Sequence, residues 1–160
     1  MNKKFGALLA AGALLLGGCA TRYQQSGAQG GFTDLRLDDN VFKVTFDGNS
    51  FTSANQVEDM ALLRASELTL AAGFHYFVVA SSQANVEQIQ QSTPSQVTTS
   101  GTVVGKTVQT TSKVTPGTNY TINKTSNSMI FVAFTERPSV GVPYDAKRIY
   151  ESLAPKYKRR

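Results

Sequence analysis

The residues weighed first for acid–base chemistry are the charged side chains of residues 53–73. The carboxylates there are Glu58, Asp59 and Glu67, and Arg64 precedes Glu67 by three positions. Hydrolysis would need two carboxylates that face each other, or a nucleophile beside a base. Glu58 and Asp59 are adjacent and therefore point about 100° apart on a helix. We interpret these acids as a solvated helix face plus one pair, Arg64–Glu67, which is either a structural ion pair or a candidate interaction site.

The single histidine, His75, stands at the start of an apolar run. No cysteine, second histidine or carboxylate cluster lies near it in the sequence, so the ligand spacing of a metal site is absent. We predict a structural or exposed histidine, no metal, no cofactor and no enzymatic activity.

The only cysteine, Cys19, follows an amino-terminal leader that predicts a secretory signal peptide at 1–18. Lys3 and Lys4 precede an apolar core at 5–16, which is shorter than the roughly 20 residues that span a bilayer. The sequence LGGC at 16–19 resembles a bacterial lipobox. That resemblance implies a diacylglycerol thioether and acyl chains such as palmitate on Cys19, which together hold a protein firmly on a membrane. The alternative is an ordinary secretion signal that is cut elsewhere.

The residue after Cys19 is Ala20 and not aspartate. In Gram-negative lipoproteins an aspartate there resembles an inner-membrane retention signal. Its absence favours the outer membrane, with the protein on the periplasmic face. We expect no nucleic-acid partner for a protein outside the cytoplasm. The formal charge is +5, and the basic tail at 156–160 is either solvated or touches an anionic polymer or lipid.

The segment 53–73 predicts the long helix that the fold is organised around. Ser53 and Gln56 form a capping box, and Gly73 supplies a left-handed stop. Apolar residues recur at helical spacing and define one buried stripe: Val57, Ala61, Ala65, Leu68 and Ala72, widened by Met60 and Ala71. Arg64 falls in the middle of that stripe, so we expect it to be at least half buried and held by an acid.

Alternating apolar residues predict a hairpin from strands at 32–37 and 41–47. Apolar runs at 74–80 and 129–136 predict two interior strands, and 146–153 predicts a short helix capped by Asp145 and ended before Pro155. The predicted fold class is α+β: a small antiparallel sheet packed against one long helix plus a short C-terminal helix, with a polar β-hairpin insertion.

The predicted domain is single, at 32–155, and carries a Ser/Thr-rich insertion at 81–128. A polar, glycine-rich tether at 19–31 precedes it. The insertion is either disordered or a long hairpin, and we favour a hairpin in which 96–114 and 118–124 meet across a turn at 115–117.

Four separated segments are similar to an uncharacterised family of bacterial outer-membrane lipoproteins. They are 42–53 (FKVTFDGNSFTS), 56–70 (QVEDMALLRASELTL), 73–79 (GFHYFVV) and 144–153 (YDAKRIYESL). The resemblance implies an outer-membrane lipoprotein with a small α+β domain and implies no reaction.

Three functions remain open. The first is a non-enzymatic envelope lipoprotein, a structural, adaptor or stress-related module whose arm at 96–124 engages an envelope protein. The second is a hydrolase of envelope polymer. The third is a small-ligand binder that uses the Phe and Tyr residues around Phe51, Tyr76 and Tyr144. A concave site lined by two carboxylates would favour the hydrolase.

Overall fold

A computed structural model describes residues 20–158 of the chain. The predicted signal peptide and Cys19 lie outside the described residues, as do residues 159 and 160. The helices of the described part are α1 (Ala54–Ala71) and α2 (Ala146–Tyr157). Its strands, in chain order, are β1 (Gly31–Arg36), β2 (Val41–Asp47), β3 (Tyr76–Ser92), β4 (Gln96–Val104), β5 (Thr107–Thr115), β6 (Asn119–Phe134) and β7 (Pro143–Asp145).

The predicted fold class is wrong. Residues 20–158 are mostly sheet, with 50% strand and 22% helix, and they contain two helices and a curled, antiparallel half-barrel of five strands. The error lies in the polar segment 81–128, which was predicted to stand apart from the sheet. Strand β3 has 17 residues and β6 has 16, and both strands extend into this segment. A backbone ladder needs no apolar side chains, so the hydrophobic pattern ends well before the strands do.

The half-barrel has the strand order β1-β2-β6-β3-β7. Strand β2 pairs antiparallel with β1 on one side and with β6 on the other, where Phe42 lies opposite Phe131 and Asp47 opposite Ser126. At the far edge, β3 pairs with β7 through Phe77 and Tyr144.

Aromatic rings hold the core of the half-barrel together. Phe131 lies 5.4 Å from both Phe42 and Phe77, measured between ring centroids. The alternation predicted for β2 is confirmed, since its three apolar residues Phe42, Val44 and Phe46 are all buried. Helix α1 contributes Val57, Met60, Ala61 and Ala65 to the same core.

Helix α1 begins as predicted but buries a different set of side chains. The capping box between Ser53 and Gln56 is present, and Gly73 has φ +84°. Leu63, Ser66 and Thr69 are fully buried, whereas Ala72 of the predicted stripe is exposed. The Ser66 hydroxyl donates to the carbonyl of Leu63 at 2.7 Å, and that of Thr69 to Ala65 at 2.8 Å. These hydroxyls are satisfied within the helix, so their side chains enter the interior without an unpaired polar atom.

Residues 20–30, which we call the amino-terminal segment, pack on the domain. The described part of the predicted tether at 19–31 is therefore ordered against the domain. The backbone N–H of Thr21 donates to Thr52 Oγ1 at 2.8 Å, and Thr21 is 6% exposed. Phe32 N–H donates to Gln24, and Ser26 N–H to Phe32, so the segment also runs beside the start of β1. Hydrogen bonds to the domain supply the order that the segment's polar composition does not.

Helix α2 is longer than predicted, because Pro155 lies inside it and the helix ends at Tyr157. The predicted N-cap is confirmed: Asp145 accepts from the N–H of Arg148 at 3.1 Å. Lys156 and Lys158 of the predicted basic tail both bind carboxylates of α1. These ion pairs hold the last turn in place beyond the proline. In the described residues, neither helix is long and apolar enough to cross a membrane.

The described chain divides into two compact units: the first comprises the described residues up to Glu87 and from Lys124 onward, and the second comprises Gln88–Asn123. Its centre is the antiparallel hairpin β4–β5, which forms a separate two-stranded sheet. The hairpin turns at Gly105 and Lys106, where Gly105 has φ +64°. The turn predicted at 115–117 is therefore wrong, and residues 119–124 belong to β6, the neighbour of β3. Glycine fits the position at 105 because a positive φ costs it nothing.

Candidate functional site

Arg64 lies at the centre of a cluster of charged and aromatic side chains. Its Nε and Nη2 are 3.0 and 2.9 Å from Asp34 Oδ1, and its Nη1 donates to Glu67 Oε2 at 3.0 Å. The guanidinium carbon is 4.4 Å from the centroid of the Phe32 ring. With 24% of its side chain exposed, Arg64 is three-quarters buried and bonded to two acids. The structure thus contains the sequence-predicted Arg64–Glu67 ion pair and adds a second acid to it.

Glu67 receives donors from three directions. Besides Arg64, the Tyr23 hydroxyl donates to its Oε2 at 2.5 Å, and Lys158 Nζ donates to its Oε1 at 2.5 Å. Only 14% of the Glu67 side chain is exposed. We call Tyr23, Asp34, Arg64, Glu67 and Lys158 the Arg64 cluster.

The pKa values of this cluster follow from burial and hydrogen bonding. Burial acts to raise the pKa of Glu67, but the bonds from Lys158, Tyr23 and Arg64 outweigh it and hold that pKa below its usual value. Burial and the bond to Glu67 raise the pKa of Tyr23. The bond to Glu67 likewise raises the pKa of Lys158 against partial desolvation. Glu67 is therefore a stabilised anion that three donors hold in place, which is the opposite of a poised general base.

The Arg64 cluster fastens four parts of the chain to one another. Tyr23 comes from the amino-terminal segment, Asp34 from β1, Arg64 and Glu67 from α1, and Lys158 from the end of α2. Sequence reasoning found only the local pair. The other contacts join residues 30, 44 and 91 positions apart, and such separations leave no periodic signal.

Asp59, like Glu67, is held by hydrogen bonds from the end of α2. Its Oδ2 accepts from Lys156 Nζ at 2.8 Å and from the Tyr157 hydroxyl at 2.6 Å. Burial and the bond to Asp59 raise the pKa of Tyr157. Glu58 is exposed. The carboxylates Glu58, Asp59 and Glu67 of α1 therefore do not form a facing pair.

The His75 side chain is exposed, and the residue forms two backbone hydrogen bonds. Its N–H donates to Phe134 at 2.9 Å, and its carbonyl accepts from Ala146 at 3.0 Å. Within residues 20–158, no group of three or more His, Cys, Asp or Glu side chains is arranged to hold a metal ion.

A polar cleft of about 270 Å³ lies beside the amino-terminal segment, and we call it the amino-terminal cleft. Two carboxylates line it, Asp47 at the end of β2 and the exposed Glu87 on β3, together with Lys124 of β6. This is the feature that would favour a hydrolase, and sequence reasoning missed it. The two acids are 40 positions apart in the chain, and β2 and β3 are brought near each other only because both flank β6.

The aromatic residues proposed as a ligand site are only partly brought together. Tyr76 and Tyr144 both line a depression of about 320 Å³ with Arg137 and Arg148. Phe51 does not line it and instead projects from the loop before α1, where it is 66% exposed. The depression therefore contains two of the three named aromatic residues, and the small-ligand function stays a prediction.

Comparison of the chain with protein-family models, with curated proteins and with solved structures finds no match.

Proposed function

We propose that this chain is a non-enzymatic adaptor lipoprotein of the bacterial envelope. Cys19 carries the diacylglycerol and acyl chains and holds the protein on the periplasmic face of the outer membrane. The β4–β5 hairpin serves as the arm, and it binds an extended strand of another envelope protein. Support for the anchor comes from the leader and lipobox in the sequence.

The observation that carries the adaptor role is the state of the β4–β5 hairpin. In the part of the chain that the structure describes, β4 and β5 pair only with each other, so each strand has one open edge. Val97, Val103 and Val114 are at least 60% exposed and lie on one face of the hairpin. Two-stranded sheets are marginally stable alone, and an open edge is a template for another strand. A third strand would satisfy the edge and cover the valines.

The pairing of three carboxylates with cations in the first unit agrees with a non-enzymatic role. Asp34, Asp59 and Glu67 each accept a hydrogen bond from a cation at 3.0 Å or less. For Glu67, the bonds from Lys158, Tyr23 and Arg64 favour the ionised form and hold its pKa below the usual value. These acids stabilise the fold and are not free for proton transfer.

Site-specific photocrosslinking in growing cells tests the adaptor role. A photoreactive side chain replaces Val103 in the arm, and a matched chain carries it at Val140, which is 68% exposed. We expect a discrete adduct with an envelope protein from position 103 and none from position 140. An adduct of two copies of this chain, or equal products from both positions, would contradict the proposal.

A deletion of the arm provides the loss-of-function control. The ends of the hairpin are close together, since Thr93 N–H donates to Thr118 at 3.0 Å and Gly117 N–H donates to Ser95 at 3.2 Å. Replacing residues 96–115 with Asn-Gly therefore closes the gap with a tight turn. The shortened chain should reach the membrane in normal amount and lose the partner when the crosslinker is moved to Thr93.

A second candidate function is favoured by the amino-terminal cleft. Asp47 and Glu87 line one concave surface, as a general acid and a general base of a polymer hydrolase would. The test is release of soluble fragments from purified cell-wall polymer by the wild type and by the double variant D47N/E87Q. Release by the wild type that the double variant loses would favour the hydrolase over the adaptor. Absence of release in both would remove it.

A further inference from the structure

The loop before α1 lies where the anchored end of the chain meets the domain. Thr21 Oγ1 donates to the carbonyl of Gln29 at 2.9 Å and accepts from the N–H of Asn49 at 2.8 Å. The Thr21 N–H binds Thr52, which is 4% exposed. The chain two residues after Cys19 is therefore fixed to residues 49–52.

Phe51 projects from this loop, whose backbone is held by hydrogen bonds to Asn49. Its N–H donates to Asn49 Oδ1 at 3.0 Å, and the N–H of Thr52 donates to the Asn49 carbonyl at 3.0 Å. The Thr52 hydroxyl also donates to Asn49 Oδ1 at 2.9 Å. These three donors and both Asn49 oxygens are thus engaged within the turn, which lowers the cost of bringing them into an interface. The ring is 66% exposed although it is large and apolar.

Chain length limits how far the anchor is from this ring. Two residues reach at most about 7 Å, and that is all that separates Cys19 from Thr21. Thr21 in turn is hydrogen-bonded to the neighbour of Phe51. Arg22, next in the chain, is exposed and offers a cation to phosphate headgroups.

We propose that the loop at residues 49–52 is a membrane-contact site, in which Phe51 enters the interface of the same lipid leaflet that holds the acyl chains of Cys19. The lipid anchor and Phe51 then hold the domain at two points, which restricts its orientation on the membrane. This inference rests on the anchor in the proposed function.

The chain contains no tryptophan, so a single introduced tryptophan reports on its own position. The matched positions are Phe51 and Val140, which are 66% and 68% exposed. Val140 lies in the loop that follows Phe134, the last residue of β6. The loop at 49–52 follows Asp47, which pairs with Ser126 of β6. The eight residues from Ser126 to Phe134 span about 26 Å of strand, so one probe lies near the middle of β6 and the other beyond its carboxyl end.

The experiment uses the full acylated chains F51W and V140W in vesicles of phosphatidylethanolamine and phosphatidylglycerol. Acylation is verified on the same samples by intact mass. We expect the emission of F51W to shift to shorter wavelength and to be quenched by brominated acyl chains. The emission of V140W should stay at the wavelength of a water-exposed indole and should not be quenched. Circular dichroism verifies that both variants are folded.

Acylated, vesicle-bound F51W that is not quenched, or is quenched no more than V140W, would overturn the membrane-contact site and leave the anchor standing. A chain that carries no acyl group would overturn the anchor itself, and the contact site with it.

Discussion

Removal of the negative charge at Glu67 tests the interpretation of the Arg64 cluster as the fastener of the first unit. The variant E67Q keeps the size of the side chain and one acceptor oxygen. It removes the anion that receives Tyr23, Arg64 and Lys158. The matched control is E58Q, which makes the same change at an exposed site on the same helix.

The expected loss of stability depends on how buried Glu67 is and on which partners Arg64 and Lys158 retain without it. Breaking a buried ion pair costs about 3–5 kcal/mol, because the remaining charge is left without a partner. Here Arg64 keeps Asp34, and the Lys158 side chain is 40% exposed and regains water. We therefore expect E67Q to lower the free energy of unfolding by about 2 kcal/mol, with a fall in Tm of roughly 5 °C. E58Q should change it by less than about 0.5 kcal/mol.

The difference between wild type and E67Q should also depend on pH. The folded pKa of Glu67 is lower than the reference value of 4.5. Well above pH 4.5 Glu67 is ionised in both states, and its full contribution is present. As the pH falls below 4.5 and through the folded pKa, the unfolded chain binds the proton first and the contribution is lost.

The assay is urea unfolding of the detergent-solubilised full chain, followed by far-ultraviolet circular dichroism at pH 7 and at several pH values below 4.5. An unchanged m-value would show that the variants unfold by the same transition. The reasoning is refuted if E67Q costs no more than E58Q, or if its cost at pH 7 persists unchanged in acid.

Three further predictions concern packing and the tyrosine of the cluster. A Cβ on Gly48 would lie 2.8 Å from Val57, so G48A should destabilise by about 1–3 kcal/mol in urea unfolding, whereas G27A, whose Cβ meets nothing within 4 Å, should be neutral; equal effects would contradict this. L63A should cost about 2–5 kcal/mol, because Leu63 is fully buried, and a near-neutral result would contradict its burial. Y23F should be less stable than wild type at pH 7 and should approach it above pH 10, since the raised pKa of Tyr23 makes the wild type lose stability there; a constant difference across that range would contradict the bond to Glu67.

Local chemistry in the sequence was a good guide to where elements begin. The capping box at Ser53 and Gln56 and the alternation of β2 are both present, because each depends on residues close together in the chain. The buried face of α1 was misjudged because Ser66 and Thr69 were counted as polar, although their hydroxyls bond within the helix.

Long-range pairing was beyond the sequence for a physical reason. The predicted turn at 115–117 had proline and glycine, but the turn at Gly105 and Lys106 pairs nine residues on each side, with Val97 opposite Val114 and Thr99 opposite Ser112. The register between β4 and β5 is set by the complete ladder of backbone hydrogen bonds. The threonine-rich sequence of the two strands specifies that register only weakly. The contacts from Tyr23 and Lys158 to Glu67 depend in the same way on the finished fold.

The central claim is that acyl chains on Cys19 hold this domain on the outer membrane. Growth of a Gram-negative host with labelled palmitate, followed by purification of the wild-type chain and of C19S, tests it directly. The account predicts label on the wild type in the outer-membrane fraction and no label on C19S. Unlabelled wild-type protein that is free of the membrane fraction would contradict it.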